Sequence, residues 1–185
     1  MKKLFSFVAV FGLFLTSNVA TAQVGSKTAQ ATLNVNLYPI QTIEITGEKT
    51  INLDYVTKED YSKGVEKKMN DHLTVYSTGG FAVKVKSESE NLTYTKENTS
   101  DKIEASTINL TATKGSGNSL AAANFESVVL TNADKNLITS TVGGSQLNFN
   151  VAYKGQGDNN YINKYYNVES PNVYKTTVTY TIEAQ

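Results

Sequence analysis

The segment HLTVYSTGGFAVKVK (residues 72–86) decides how the rest of the chain reads. Leu73 and Val75 alternate with Thr74 and Tyr76. After Thr78-Gly79-Gly80, Phe81, Val83 and Val85 alternate with Ala82, Lys84 and Lys86. A period of two sends successive side chains to opposite faces of an extended strand, leaving one face apolar. Glycine adopts positive φ without steric cost, so Thr78-Gly79-Gly80 supplies a turn. The expectation is a β-hairpin with Leu73, Val75, Phe81, Val83 and Val85 inward and Lys84 and Lys86 in solvent.

The same period recurs on both sides. Ala31, Leu33, Val35 and Leu37 alternate with Thr32, Asn34 and Asn36, and Pro39, which has no amide to donate, ends that predicted strand. Thr42–Ile45 and Ile51–Leu53 read as short strands around a Gly47-Glu48 turn. Downstream, Ile108, Leu110 and Ala112 form one alternating face before the Gly115-Ser116-Gly117 turn. Ser127–Leu130 is a further short strand, and Leu147, Phe149, Val151 and Tyr153 form the next alternating face. The last predicted strand reads as the longest: Tyr174, Thr176, Val178, Tyr180 and Ile182 on one face, Lys175, Thr177, Thr179 and Thr181 on the other. Only Val56–Met69 has room for a helical turn, and Gly64 interrupts it. Eight or nine short strands joined by polar turns predict an all-β fold: a single antiparallel β-sandwich, immunoglobulin-like or pilin-like, over residues 23–185.

Residues 1–22 carry a different signal. Lys2 and Lys3 precede an apolar run from Leu4 to Leu15, then Thr16-Ser17-Asn18 and the small-x-small sequence Ala20-Thr21-Ala22. The run is too short to span about 30 Å of hydrocarbon. The pattern is that of a signal peptide cleaved between Ala22 and Gln23. Export by the Sec route to the cell surface, the medium or the periplasm is the expectation, with no membrane span after cleavage.

Composition excludes several function classes. The chain has no cysteine, so no disulfide, thiol chemistry or cysteine-ligated metal is available. All 17 basic residues are lysine; without Lys2 and Lys3, 15 remain against 17 carboxylates. Arginine's planar fork is the usual grip on phosphate, and no basic stripe replaces it. Nucleic acid is therefore not an expected partner.

The chain offers few groups for chemistry. His72 is the only histidine and reads as a solvent-facing strand residue, with Asp71 pointing to the opposite face, so no nucleophilic triad forms around it. A zinc site wants three or four histidine or cysteine ligands. Glu88 with Glu90, and Glu59 with Asp60, read as solvated surface. Asn132–Asn136 and Asp158-Asn159-Asn160 read as turns rather than the spaced loop of a calcium site. No catalytic, cofactor-binding or metal-binding residue is expected, and no cofactor. The loop KGQGDNNYINKYYNVESP (154–171) carries Tyr161, Tyr165 and Tyr166 amid amides. Those three tyrosines either stack on a ligand such as a sugar ring or cap the end of the core.

The final segment YKTTVTYTIEAQ (174–185) resembles the C-terminal strand of bacterial fimbrial subunits of the pilin type, and ATLNVNL (31–37) resembles the start of such a subunit. The stretch 72–86 with IEASTINLTA (103–112) is similar, more weakly, to WxL-type wall-binding domains. The pilin resemblance implies a β-sandwich that a strand donated by a like subunit completes. The expected function is non-enzymatic: a secreted or surface structural or adhesive protein, working through strand edges and loops. The alternative is a monomeric extracellular module that binds glycan or cell-wall polymer.

Overall fold

In a computed structural model, residues 25–94, 101–166 and 171–185 are described; the predicted cleavage site, Ala22 and Gln23, lies outside them. Twelve strands are present among the described residues: β1 (Gln41–Ile45), β2 (Glu66–Ser77), β3 (Phe81–Ser87), β4 (Asn91–Tyr94), β5 (Lys102–Glu104) and β6 (Ile108–Lys114) come first. β7 (Ala123–Phe125), β8 (Ser127–Val129), β9 (Lys135–Ser140), β10 (Gly144–Gly155), β11 (Tyr174–Lys175) and β12 (Val178–Ala184) follow. One sheet has the order β1-β2-β10-β6-β8, a second β12-β3-β9-β7, and a third, smaller one β11-β4-β5; every pairing is antiparallel. The chain is an all-β sandwich.

The two larger sheets close on one core. Leu73 and Val75 of β2, Leu147, Phe149 and Val151 of β10 and Leu110 of β6 meet Phe81, Val83 and Val85 of β3 and Leu137 and Ile138 of β9. The rings of Phe81 and Phe149, one from each sheet, lie edge to face 6.4 Å apart. Burying an aliphatic or aromatic side chain contributes about 1.5–3 kcal/mol, and no cysteine is needed to hold the sheets together.

The predicted hairpin at 72–86 is not one. β2 is paired on both edges, with β1 and β10, so no ladder position is left for β3. β3 joins the other sheet, between β12 and β9. The Ser77–Gly80 turn therefore carries the chain across the sandwich, with the Ser77 hydroxyl donating to the Gly79 carbonyl at 2.7 Å. The inward residues are those expected, yet they face each other across the core instead of lying side by side. Lys84 and Lys86 do point outward, paired across strands with Glu183 (2.5 Å) and Asp134 (3.3 Å).

Other expectations shift for similar reasons. The predicted last strand is two: β11 joins the small sheet and β12 the second sheet, separated at Thr176-Thr177. The longest strands are instead β2 and β10, twelve residues each. Ile51–Leu53, predicted as a strand, forms no ladder among the described residues, although Ile51, Leu53 and Tyr55 alternate half-buried there. The helical turn is α1 (Lys58–Lys63), started by a capping box between Thr57 and Asp60 and ended by Gly64 at φ 82°.

The segment 25–36 is the described part of an N-terminal unit separate from the body Leu37–Gln185. It contains no strand, although its alternation predicted one, and Leu33 and Val35 are 88% and 75% exposed. An alternating sequence satisfies its backbone only where a neighbouring edge accepts it.

Candidate functional site

β1 and β12 are edge strands of opposite sheets, and they approach each other along one side of the sandwich. Their inward residues are less covered than those one strand further in. Ile43 and Ile45 of β1 are half-buried, while their partners Val75 and Leu73 are fully buried. On β12, Tyr180 and Ile182 are half-buried opposite the buried Val85 and Val83. Among the described residues nothing pairs with the outer edge of either strand. The seam thus combines unpaired backbone with apolar side chains that remain partly wet, the chemistry that accepts a further strand. The other side is closed differently: β7 and β8 are three residues each, joined through Glu126.

Beneath this seam lies a polar chain. His72, expected at the surface, is completely buried. The cause is a bulge in β2: Phe149 pairs with Leu73 but Val151 with Met69, so three residues of β2 span one residue of β10. Within it Asp71 adopts φ 49°, which turns His72 inward beside Leu73. Nε2 of His72 lies 2.9 Å from the Tyr153 hydroxyl, which in turn hydrogen-bonds the Tyr180 hydroxyl of β12. Burial lowers the pKa of His72 and raises that of Tyr153 to about 12. The sequence signal for this arrangement was Asn70-Asp71, two residues tolerant of positive φ in mid-strand.

The three loop tyrosines are placed differently from one another. Tyr161 is buried, stacks edge-on against Tyr55 at 4.9 Å and donates to Thr107 Oγ1 at 2.7 Å, so it caps the core. Tyr166 is half-buried and donates to Asp101 Oδ2 at 2.5 Å. Only Tyr165 is exposed, at 50%. Asp101, to which the sequence reading gave no role, organises this loop. It accepts from Lys164 at 2.7 Å and from Tyr174 at 3.4 Å as well. The hydrogen bonds from Lys164, foremost, and Tyr166 hold its carboxyl at about 2.

Of the acidic candidates, Glu59, Glu88 and Glu90 are exposed, while Asp60 and Asp158 serve the fold. Asp60 caps α1. Asp158 and Asn159, both at positive φ, bond through their amides to Ser62 and Tyr61. Among the described residues no three or more His, Asp or Glu side chains converge. Clefts among the described residues include one of about 110 Å³ over Phe149 and Phe125 and one of about 390 Å³ between Glu90, Lys102, Glu104 and Thr131. No family model matches this chain, and no curated protein matches it.

Proposed function

We propose that this chain is a secreted structural subunit of a bacterial cell surface, non-enzymatic and fimbrial-subunit-like, that assembles through its strand edges. The arm of one copy, Ala31 to Leu37, adds as a strand at the β1–β12 seam of the next. The observation that carries this reading is the arm itself: Leu33, Val35 and Leu37 alternate with Thr32, Asn34 and Asn36, and all three apolar side chains are left in solvent. Each would contribute about 1.5–3 kcal/mol on burial. The half-buried Ile43, Ile45, Tyr180 and Ile182 supply a complementary apolar strip.

The test uses full-length mature protein, run unboiled and boiled on a denaturing gel. A heat-sensitive ladder is expected, and it is lost in a Leu33→Asp/Val35→Asp variant whose monomer melts at the wild-type temperature. A single monomer band from the wild type, before and after heating, overturns the reading.

A further inference from the structure

The ring of His72 is tied into a hydroxyl chain that crosses the sandwich. Tyr153 on β10 and Tyr180 on β12 belong to different sheets, and both rings stand edge-on to the imidazole, at 5.8 and 6.2 Å. Nδ1 of His72 is buried without a partner among the described residues. We propose that His72, Tyr153 and Tyr180 form an acid-sensitive latch that holds β12 to the sandwich at neutral pH and loosens it when the imidazole takes up a proton. The proposal rests on the assembly reading only for its consequence, since β12 borders the seam offered to the arm.

Neutral imidazole has one donor and one acceptor nitrogen, and a single partner at Nε2 is tolerable. Imidazolium has two donors. Its Nδ1–H would then be buried without an acceptor, and the new charge would lie among apolar neighbours. Among the described residues, the side chains hydrogen-bonded to or stacked on the ring are Tyr153 from β10 and Tyr180 from β12, both with raised pKa and so uncharged near neutrality. Asp71, next in sequence, is turned away to Ser116, and burial alone accounts for the lowered proton affinity of the ring. Hydration of the ring requires a strand to move. β2 and β10 are each paired on two sides, whereas β12 is paired only with β3 and carries Tyr180, so β12 yields first.

The sign follows from the burial of a neutral base. The latch is complete above the free imidazole value of about 6.5. Below it the opened state gains protons that the closed state does not, and the opening equilibrium rises about tenfold per pH unit until the latched ring itself titrates.

Hydrogen exchange of full-length mature protein tests this, with peptides covering Val178–Ala184 and, as internal reference, Ile108–Lys114. Rates are corrected for intrinsic exchange between about pH 7.5 and 5. Protection of β12 is expected to fall about tenfold per pH unit below about 6.5, with the reference unchanged. The His72→Gln variant, which keeps a side-chain partner for Tyr153 but cannot titrate, is expected to give a flat profile. A flat wild-type profile, or equal loss in both segments, overturns the latch. Should His72→Gln not fold, the chain's single histidine resonance decides: titration at or above the free value overturns it. The gel ladder reads assembly separately: β12 loosening with a monomer band at every pH sinks the edge-assembly reading while leaving the latch in place.

Discussion

Asp71 of β2 grips Ser116 in the turn after β6: its Oδ1 lies 2.7 Å from the Ser116 amide and its Oδ2 2.5 Å from the hydroxyl. The two residues are 45 positions apart, and the contact exists because Asp71 sits at φ 49° in the β2 bulge. One conformational choice sends the carboxylate out to the turn and His72 in to the core. Asp71→Ala is expected to lower the melting temperature more than Asp71→Asn, because asparagine tolerates this φ and keeps an acceptor. The Ser116 bonds hold the carboxyl below its usual range, so their contribution is full above about pH 3.9 and fades as pH falls below it. Equal melting of wild type and Asp71→Ala at neutral pH contradicts this.

Phe149 is the central aromatic of the core, within 6.4 Å of Phe81 and 6.1 Å of Phe125. Phe149→Ala is expected to cost about 3–5 kcal/mol, read by denaturant unfolding. A loss below about 1 kcal/mol means that the sheets do not close on this ring as described.

Gly64 and Gly143 are held against backbone, where nothing can give way. A Cβ on Gly64 would lie 2.3 Å from the Gly155 carbonyl oxygen, and one on Gly143 2.1 Å from that of Ser77. Gly64→Ala and Gly143→Ala are therefore expected to destabilise strongly. Gly79→Ala, with open space around it, is expected to be neutral or slightly stabilising. Thermal melts of the three variants that show no such ranking contradict the packing of these turns.

Asp101 ties Lys164, Tyr166 and Tyr174 together. With its carboxyl near 2, the tie persists at mild acidity and is lost as pH falls from about 4 towards 2, below the window of the His72 latch. Asp101→Asn is expected to speed hydrogen exchange over residues 154–166 at neutral pH while leaving β2 and β10 protected. Unchanged exchange in that loop would show that the tie is not what orders it.

Tyr161 and Tyr165 separate the two roles open to the tyrosine loop. Tyr161→Phe removes the bond to Thr107 and is expected to cost about 0.5–1.5 kcal/mol. Tyr165→Ala, on an exposed side chain, is expected to leave the melting temperature unchanged. Retention on a polysaccharide column reads the alternative function: a glycan-binding module loses retention with Tyr165→Ala, and a core-capping loop shows none to lose.

The fold class was legible because period-two alternation survives any arrangement of the strands. Leu73, Val75, Phe81, Val83, Val85, Leu110, Leu147, Phe149, Val151 and Tyr153 are all buried as the alternation predicts. Alternation breaks where a bulge inserts residues, and there the side chain of His72, expected in solvent, is buried instead. His72 and Leu73 are both buried, as are Leu137 and Ile138, where Val83 pairs with Ile138 and Lys84 with Asn136. The Asp101 cluster was hidden because its members come from positions 101, 164, 166 and 174, which no local pattern links.

The amino-acid sequence by itself determined the all-β class, the inward residues of β2, β3, β6 and β10, room for a helical turn between Val56 and Met69, and a chain without disulfides. These follow from local conformational preference and from which side chains water excludes. Tertiary structure alone decided which strands are neighbours. It sent β2 and β3 to opposite sheets, split β11 from β12, and gave residues 31–37 no ladder partner among the described residues. The physical reason is that a strand's own residues specify its two faces, whereas its edges are satisfied by whichever backbone arrives, and the edge is where this chain leaves β1 and β12 open.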